Sequence, residues 1–150
     1  MAAITTAVDR PCFQGELIEF PMLGSSAQTI PKGALVMNTS AGYAANATDT
    51  HSTVFLGVAD ETKTSPSGAA NGDVKIKVRR RGIYRFAFGA ANAAATDVGT
   101  IVCTTDNNTV DKAATTSKDM QVGRIVKVES ASVVWVEIDN FVGVPALLTS

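Results

Sequence analysis

A chain of 150 residues with 45% hydrophobic and 18% charged residues has the composition of one globular domain, able to bury roughly 68–70% of its unfolded surface. The formal net charge of −1 gives no global field to draw it to nucleic acid or an anionic membrane, and no apolar run approaches the roughly 18 residues of a membrane span. Cys12 and Cys103 are too few for a disulfide framework and stand at no metal-ligand spacing; they read as small buried hydrophobes, with a bridge between them left open.

The start, MAAITTAVDRP, lacks the basic-then-apolar layout of a secretory signal, so synthesis in a reducing cytoplasm is expected. Residues 1–30 read as an arm. Only Glu16-Leu-Ile-Glu-Phe20 has strand character, and Pro11, Pro21, Gly24-Ser-Ser26 and Pro31 interrupt the rest. Ordering such a segment costs roughly 1–2 kcal/mol of backbone entropy per residue. Its Ile, Leu, Phe and Met content therefore predicts docking onto another surface, which another chain can supply. Ile4, Val8, Arg10, Phe13 and Leu17 are the arm residues expected to make that contact.

Beyond Ile30 the pattern is β. Leu35-Val-Met37 leads through the turn Asn38-Thr-Ser-Ala-Gly42 to a return at Tyr43 and Ala44, and Val54-Phe-Leu-Gly-Val-Ala59 follows. Between this block and its later copy lies the clearest alternation in the chain. Val74, Ile76, Val78, Tyr84, Phe86 and Phe88 share one parity, and Lys75, Lys77, Arg79, Arg81 and Arg85 share the other. That predicts a strand with one apolar and one basic face, bent midway at Gly82. The basic face suits either solvent, guarding a sheet edge, or an interface with carboxylates of a neighbouring chain. Nucleic acid is disfavoured, because single-strand platforms place aromatics among the charges, and here the aromatics lie on the opposite parity. Gly89 to Asp97 is alanine-rich but supports no more than one or two helical turns.

The second copy repeats the first. Gly99-Thr-Ile-Val102 corresponds to Gly33-Ala-Leu-Val36, and Gly123-Arg-Ile125 to Gly57-Val-Ala59; both glycine pairs are 24 positions apart and the blocks are offset by 66. Ile101-Val-Cys103, the turn Thr105-Asp-Asn-Asn108, a return at Thr109-Val110, and a hairpin between Gln121-Val128 and Ser132-Ile138 complete it. Asp106-Asn107-Asn108 reads as an Asx turn in preference to a calcium loop. Trp135 lies mid-strand and is expected in the core; its apolar neighbours Val134 and Val136 suggest that both sheet faces there are covered, as at a subunit interface.

A repeated β unit reproduces a surface more readily than one asymmetric active site, which points to a scaffold or binding role. His51 is the only histidine, in a loop-like stretch, and no nucleophile-elbow, zinc, phosphate-loop or dinucleotide motif occurs. Asp60 with Glu61, and Glu137 with Asp139, are the remaining carboxylate candidates for acid–base work, and solvated strand ends explain them better. No enzyme, metal or cofactor is expected.

Ile30-Pro-Lys-Gly-Ala-Leu-Val36, Phe55-Leu-Gly-Val-Ala59, Gly72-Asp-Val-Lys-Ile-Lys-Val78 leading to Gly82-Ile-Tyr84, Asp97-Val-Gly-Thr-Ile-Val102 and Val122-Gly-Arg-Ile-Val126 together resemble the bacteriophage capsid cement, or head-decoration, family. The resemblance covers roughly Ile30 to Asn140. It implies a homotrimer on the outer surface of a virion, seated at three-fold and quasi-three-fold positions of the major capsid protein lattice, with no catalytic residues to carry over. In that setting Ile4, Val8, Arg10, Phe13 and Leu17 become capsid contacts, and Lys75, Lys77, Arg79, Arg81 and Arg85 an interface face. The expected fold is mostly β: a compact antiparallel β-sandwich or partly open β-barrel built from two repeated units, about 33–60 and 99–126, with an extended arm over 1–30 and a hydrophobic tail over 141–150. The alternative function is a carbohydrate-binding or adhesion module on a virion or cell surface; a small hydrolase using Glu137 and Asp139 is a third class. No nucleic acid, membrane or small-molecule substrate is expected.

Overall fold

Period-two alternation organises this chain into strands, as the computed structural model shows for residues 3–11, 17–50, 53–89, 92–112 and 120–138. In chain order they are β1 (Leu17–Pro21), β2 (Gln28–Ile30), β3 (Leu35–Asn38), β4 (Ala44–Asn46), β5 (Val54–Ala59), β6 (Lys63–Ser65), β7 (Lys75–Arg79), β8 (Gly82–Phe88), β9 (Ile101–Thr104), β10 (Thr109–Lys112), β11 (Gln121–Ser130) and β12 (Val133–Ile138). A single 3-10 turn, Ala95–Asp97, is the helical element among the described residues. The mostly β expectation holds.

Two five-stranded units carry the fold. The first is a sheet in the order β1-β7-β5-β3-β4, whose outer strands are drawn together by a parallel bridge between Met22 and Ala44. The second is a closed barrel in the order β10-β8-β12-β11-β9, closed by parallel pairing of Thr109 with Ala87 and Val110 with Phe88. The circular order is the same in both, with β8, β12, β11, β9 and β10 standing for β1, β7, β5, β3 and β4. Register agrees residue by residue. Met37 pairs with Ala45 and Phe55, as Cys103 pairs with Asp111 and Gln121, and Val36 pairs with Gly57 as Val102 pairs with Gly123. Even the irregularity in β3–β5 pairing recurs at the same place in β9–β11. The repeat is therefore longer than the two glycine-bounded blocks: β1 and β8 belong to it at the same offset of 66, and β7 and β12 at an offset of 58.

Core chemistry follows the duplication. Inward positions Phe20, Met22, Val36, Ala44, Leu56, Ala59, Ile76 and Val78 of the first unit match Phe86, Phe88, Val102, Val110, Val122, Ile125, Val134 and Val136 of the second. Every position is apolar in both copies, because each faces the interior of its unit, where an unpaired polar atom would cost more than a methylene gains. The two units meet where outward residues of the first, Leu35, Phe55 and Val58, join the same apolar cluster as Tyr84, Met120 and Ile138 of the second. The corresponding wall of the second unit carries Ile101, Gln121 and Arg124. Like units thus pack heterologously, wall of one against the second.

Three sequence expectations change. The alternating stretch from Val74 to Phe88 is two strands, not one bent strand: β7 lies in the first unit and β8 in the second, and the chain crosses between them at Arg80 and Arg81. Within each strand the two parities hold, with Ile76, Val78, Tyr84, Phe86 and Phe88 buried. The basic strand guards no edge, since β7 is hydrogen-bonded between β1 and β5. Trp135 is outside the core: register with Arg85 and Lys127 turns it outward, partly exposed, while its neighbours Val134 and Val136 fill the barrel.

Candidate interaction faces and the N-terminal strap

Residues 3–11 lie across the junction of the two units as a strap. The Val8 amide donates to the Lys32 carbonyl at 2.8 Å, and Gly33, with φ +86°, admits the strap because a Cβ there would meet the Val8 carbonyl oxygen at 2.3 Å. The Ile4 amide donates to Asn107 Oδ1 at 2.8 Å, and Asn107 Nδ2 donates back to the Ile4 carbonyl at 3.0 Å and to Asn46 Oδ1 at 2.9 Å. One buried carboxamide thereby joins strap, first unit and second unit.

Arg10 is the strap's anchor. Its guanidinium donates to the Gly33 carbonyl of the first unit, and to the Arg85 carbonyl and Asn108 Oδ1 of the second. The same plane lies over the Phe86 ring, 4.6 Å from its centroid. Burial, and secondarily the charge of Arg85, lowers its pKa to about 10, so it remains a cation at neutral pH. A planar donor fork suits this setting, because three acceptors diverge around one group while its face rests on an aromatic ring.

Of the arm residues expected to contact a partner, Ile4, Val8 and Arg10 are engaged within this chain. Leu17, on β1, is 45% exposed, and Phe13 lies outside the described residues, as do Cys12, His51 and Asp139. Cys103 is buried on β9. Sequence reasoning missed Asn107 and Asn108 as structural residues. Their role was visible only as divergence between the copies, since the equivalent positions are Ala41 and Gly42. Asp106 does form the expected Asx turn, accepting from the amides of Asn108 and Thr109 at 2.7 and 2.8 Å.

The five basic residues divide between the units. Lys75 and Lys77 are exposed on the outer face of β7, opposite Pro21 and Glu19 of β1. Arg79 pairs with Asp60 at 2.6 Å, and the Lys77 amide donates to Glu61 at 3.1 Å, which assigns both members of that carboxylate pair to structure. Arg81 is exposed at the crossover. Arg85 belongs to the second unit, where it grips Glu129 with two donors at 2.8 and 2.9 Å. A cleft of about 120 Å³ beneath the strap is bordered by Arg10, Lys32, Asp60, Arg79 and Tyr84.

The outer face of the second unit differs in kind. Trp135 lies with Ile83, Val126 and Lys127 around a shallow groove of about 210 Å³. Its indole Nε1 donates to Glu129 Oε2 at 2.9 Å, so Arg85, Glu129 and Trp135 form one bracket across β8, β11 and β12. No family model, curated protein or solved structure matches this chain.

The bracket has a testable pH signature. The Arg85 hydrogen bonds, and then that from Trp135, hold the Glu129 carboxyl at about 2, below its ordinary value of 4.5. Above the ordinary value the carboxylate is ionised whether the chain is folded or not, and its contribution to stability is fully present. Below it the unfolded chain takes up the proton first, so the contribution declines and is gone once the folded carboxyl is protonated. Fluorescence of Trp135, the chain's single tryptophan, is expected to stay level from neutral pH to the ordinary glutamate range and to change below it. Glu129→Gln should remove that step; a step that persists in the variant would assign it elsewhere.

Proposed function

We propose that this chain is a non-enzymatic capsid cement protein: a homotrimer that binds the outer surface of a phage head's major capsid protein lattice and stabilises the assembled shell. The observation that carries this reading is a pair of like units, locked by the strap, that turn two chemically different outer faces to solvent. One is basic around Lys75 and Lys77; the other is apolar and aromatic around Trp135. The family resemblance of the β segments adds to it. A rigid multi-unit body that touches several lattice subunits at once gains by multivalency, since later contacts form intramolecularly at an effective concentration far above that of free protein. A ligand that binds only the assembled lattice lowers its free energy relative to ruptured states, with no bond made or broken.

Co-sedimentation tests it. The protein is expected to pellet with expanded heads and not with free capsid protein, and to raise the temperature at which heads release their contents. Lys75→Ser with Lys77→Ser should weaken trimer assembly or head binding, which solution mass and co-sedimentation read separately, and added salt should weaken the wild-type interaction, since exposed charge contacts are screened within about 10 Å at 0.1 M. A protein that stays in the supernatant at every concentration overturns the reading. The outward Trp135 supports a second one, a surface glycan-binding module, which predicts saccharide binding lost in Trp135→Ala.

A further inference from the structure

Duplication supplies an internal control that most surfaces lack, because each outer position of the first unit has a named counterpart in the second. On the β1–β7 face the first unit shows Leu17, Glu19, Lys77 and Arg79; the β8–β12 face shows Ile83, Arg85, Trp135 and Glu137 at the same positions. In the bend that follows β5, Glu61 stands at the offset of 66 from Lys127 on β11. The apolar position stays apolar. Three charged positions invert their sign, Glu19 becoming Arg85, Arg79 becoming Glu137 and Glu61 becoming Lys127, while Arg79 keeps Asp60, Arg85 keeps Glu129 and Glu61 keeps Lys63 as partners within the chain. At the centre a lysine becomes a tryptophan, the two members of a cation–π pair. Inward residues of the same strands show no such inversion, being apolar in both copies.

Drift of a solvated surface would scatter charges without regard to the other copy, whereas sign reversal leaves each face with carboxylates in the region where the other carries cations, which favours their association. We propose that the Trp135 face of the second unit receives the Lys77 face of the first unit of another copy of this chain. Lys77 and Lys75 are both exposed, and the Trp135 groove is open with Val126 exposed at its margin, so both surfaces are accessible in the single chain. The contact is heterologous, head of one chain to tail of the next, and such contacts close into rings when the rotation permits. The proposal rests on the homotrimer reading only for its closure at three copies.

The test uses the full-length protein, light scattering and two variants, Lys77→Glu and Trp135→Ala, each checked for wild-type thermal unfolding. The wild type is expected as an oligomer, and each variant alone as a monomer at the same concentration, its self-association weakened at least about 10-fold. The two variants mixed should form a 1:1 dimer and go no further, since only one intact face remains on each chain. Glu137→Lys with Lys127→Glu, which leaves Trp135 and the barrel core in place, should likewise give a monomer. A monomeric wild type, an oligomer indifferent to these changes, or variants that remain monomeric when mixed would overturn the proposal. Head co-sedimentation of the monomeric variants is read separately, so loss of this interface and loss of capsid binding are distinguishable.

Discussion

Arg10→Met is expected to destabilise the protein by roughly 3 kcal/mol, lowering its melting temperature by about 6–12 °C. Methionine keeps an unbranched apolar stem over the Phe86 ring but removes the donors that serve Gly33, Arg85 and Asn108. Hydrogen bonds from a charged donor contribute about 1.5–3 kcal/mol each, and less than their sum when they share one group. Three acceptors left without that donor at a unit junction account for the expected size. Arg10→Lys should restore little, because a single ammonium cannot reach three divergent acceptors from one position. Thermal unfolding followed by circular dichroism separates the possibilities: a lysine variant as stable as wild type would show that charge alone matters. A wholly neutral Arg10→Met, with head binding lost, would return Arg10 to the capsid-contacting role that the sequence suggested.

The same residue shows where sequence reading ends. An apolar, proline-interrupted segment before a β domain carries the thermodynamic message that it must dock, and the strap does so through Ile4, Val8 and Arg10. Composition has no term for whose surface receives it. Strand positions were legible because alternation is local, and β5 falls on the residues expected for it, Val54–Ala59. The separation of β7 from β8 was not, although Arg80 and Gly82 interrupt the apolar parity, because the same parity resumes at Tyr84 while the hydrogen-bonding partners change. Trp135 failed for a related reason: three consecutive apolar residues, Val134 to Val136, cannot all face one interior in a strand, and bulk alone favoured the wrong one for the core. The repeat was legible only where glycines mark it. Its full extent emerges from register, because Phe20 and Phe86, or Ile76 and Val134, share an environment as well as an offset.

Gly57→Ala and Gly123→Ala should each destabilise by roughly 3–4 kcal/mol, and by similar amounts, because the two glycines do the same work in the two units. At Gly57 an added Cβ would stand 2.1 Å from the Arg79 carbonyl oxygen, and at Gly123 it would stand 2.0 Å from that of Glu137. Both obstacles are backbone, so relief requires a strand to move: β7 away from β5 in the first case, β12 away from β11 in the second. Either shift breaks ladder pairing and loosens a core that holds Val78 or Val136 directly beneath it. Gly57 carries an added conformational cost from its φ of +150°, and Gly123 the slightly closer approach, so the two costs stay similar. Gly42→Ala separates strain from collision, since its φ is +87° but nothing lies within 4 Å of the added atom; it should cost only about 1 kcal/mol. If Gly57→Ala and Gly123→Ala behave like Gly42→Ala, the strands can part cheaply there and close approach is not what fixed these glycines. If both are severe, the close strand approach at these glycines, beside the register irregularity of β3–β5 and of β9–β11, is a shared requirement of the two five-stranded units.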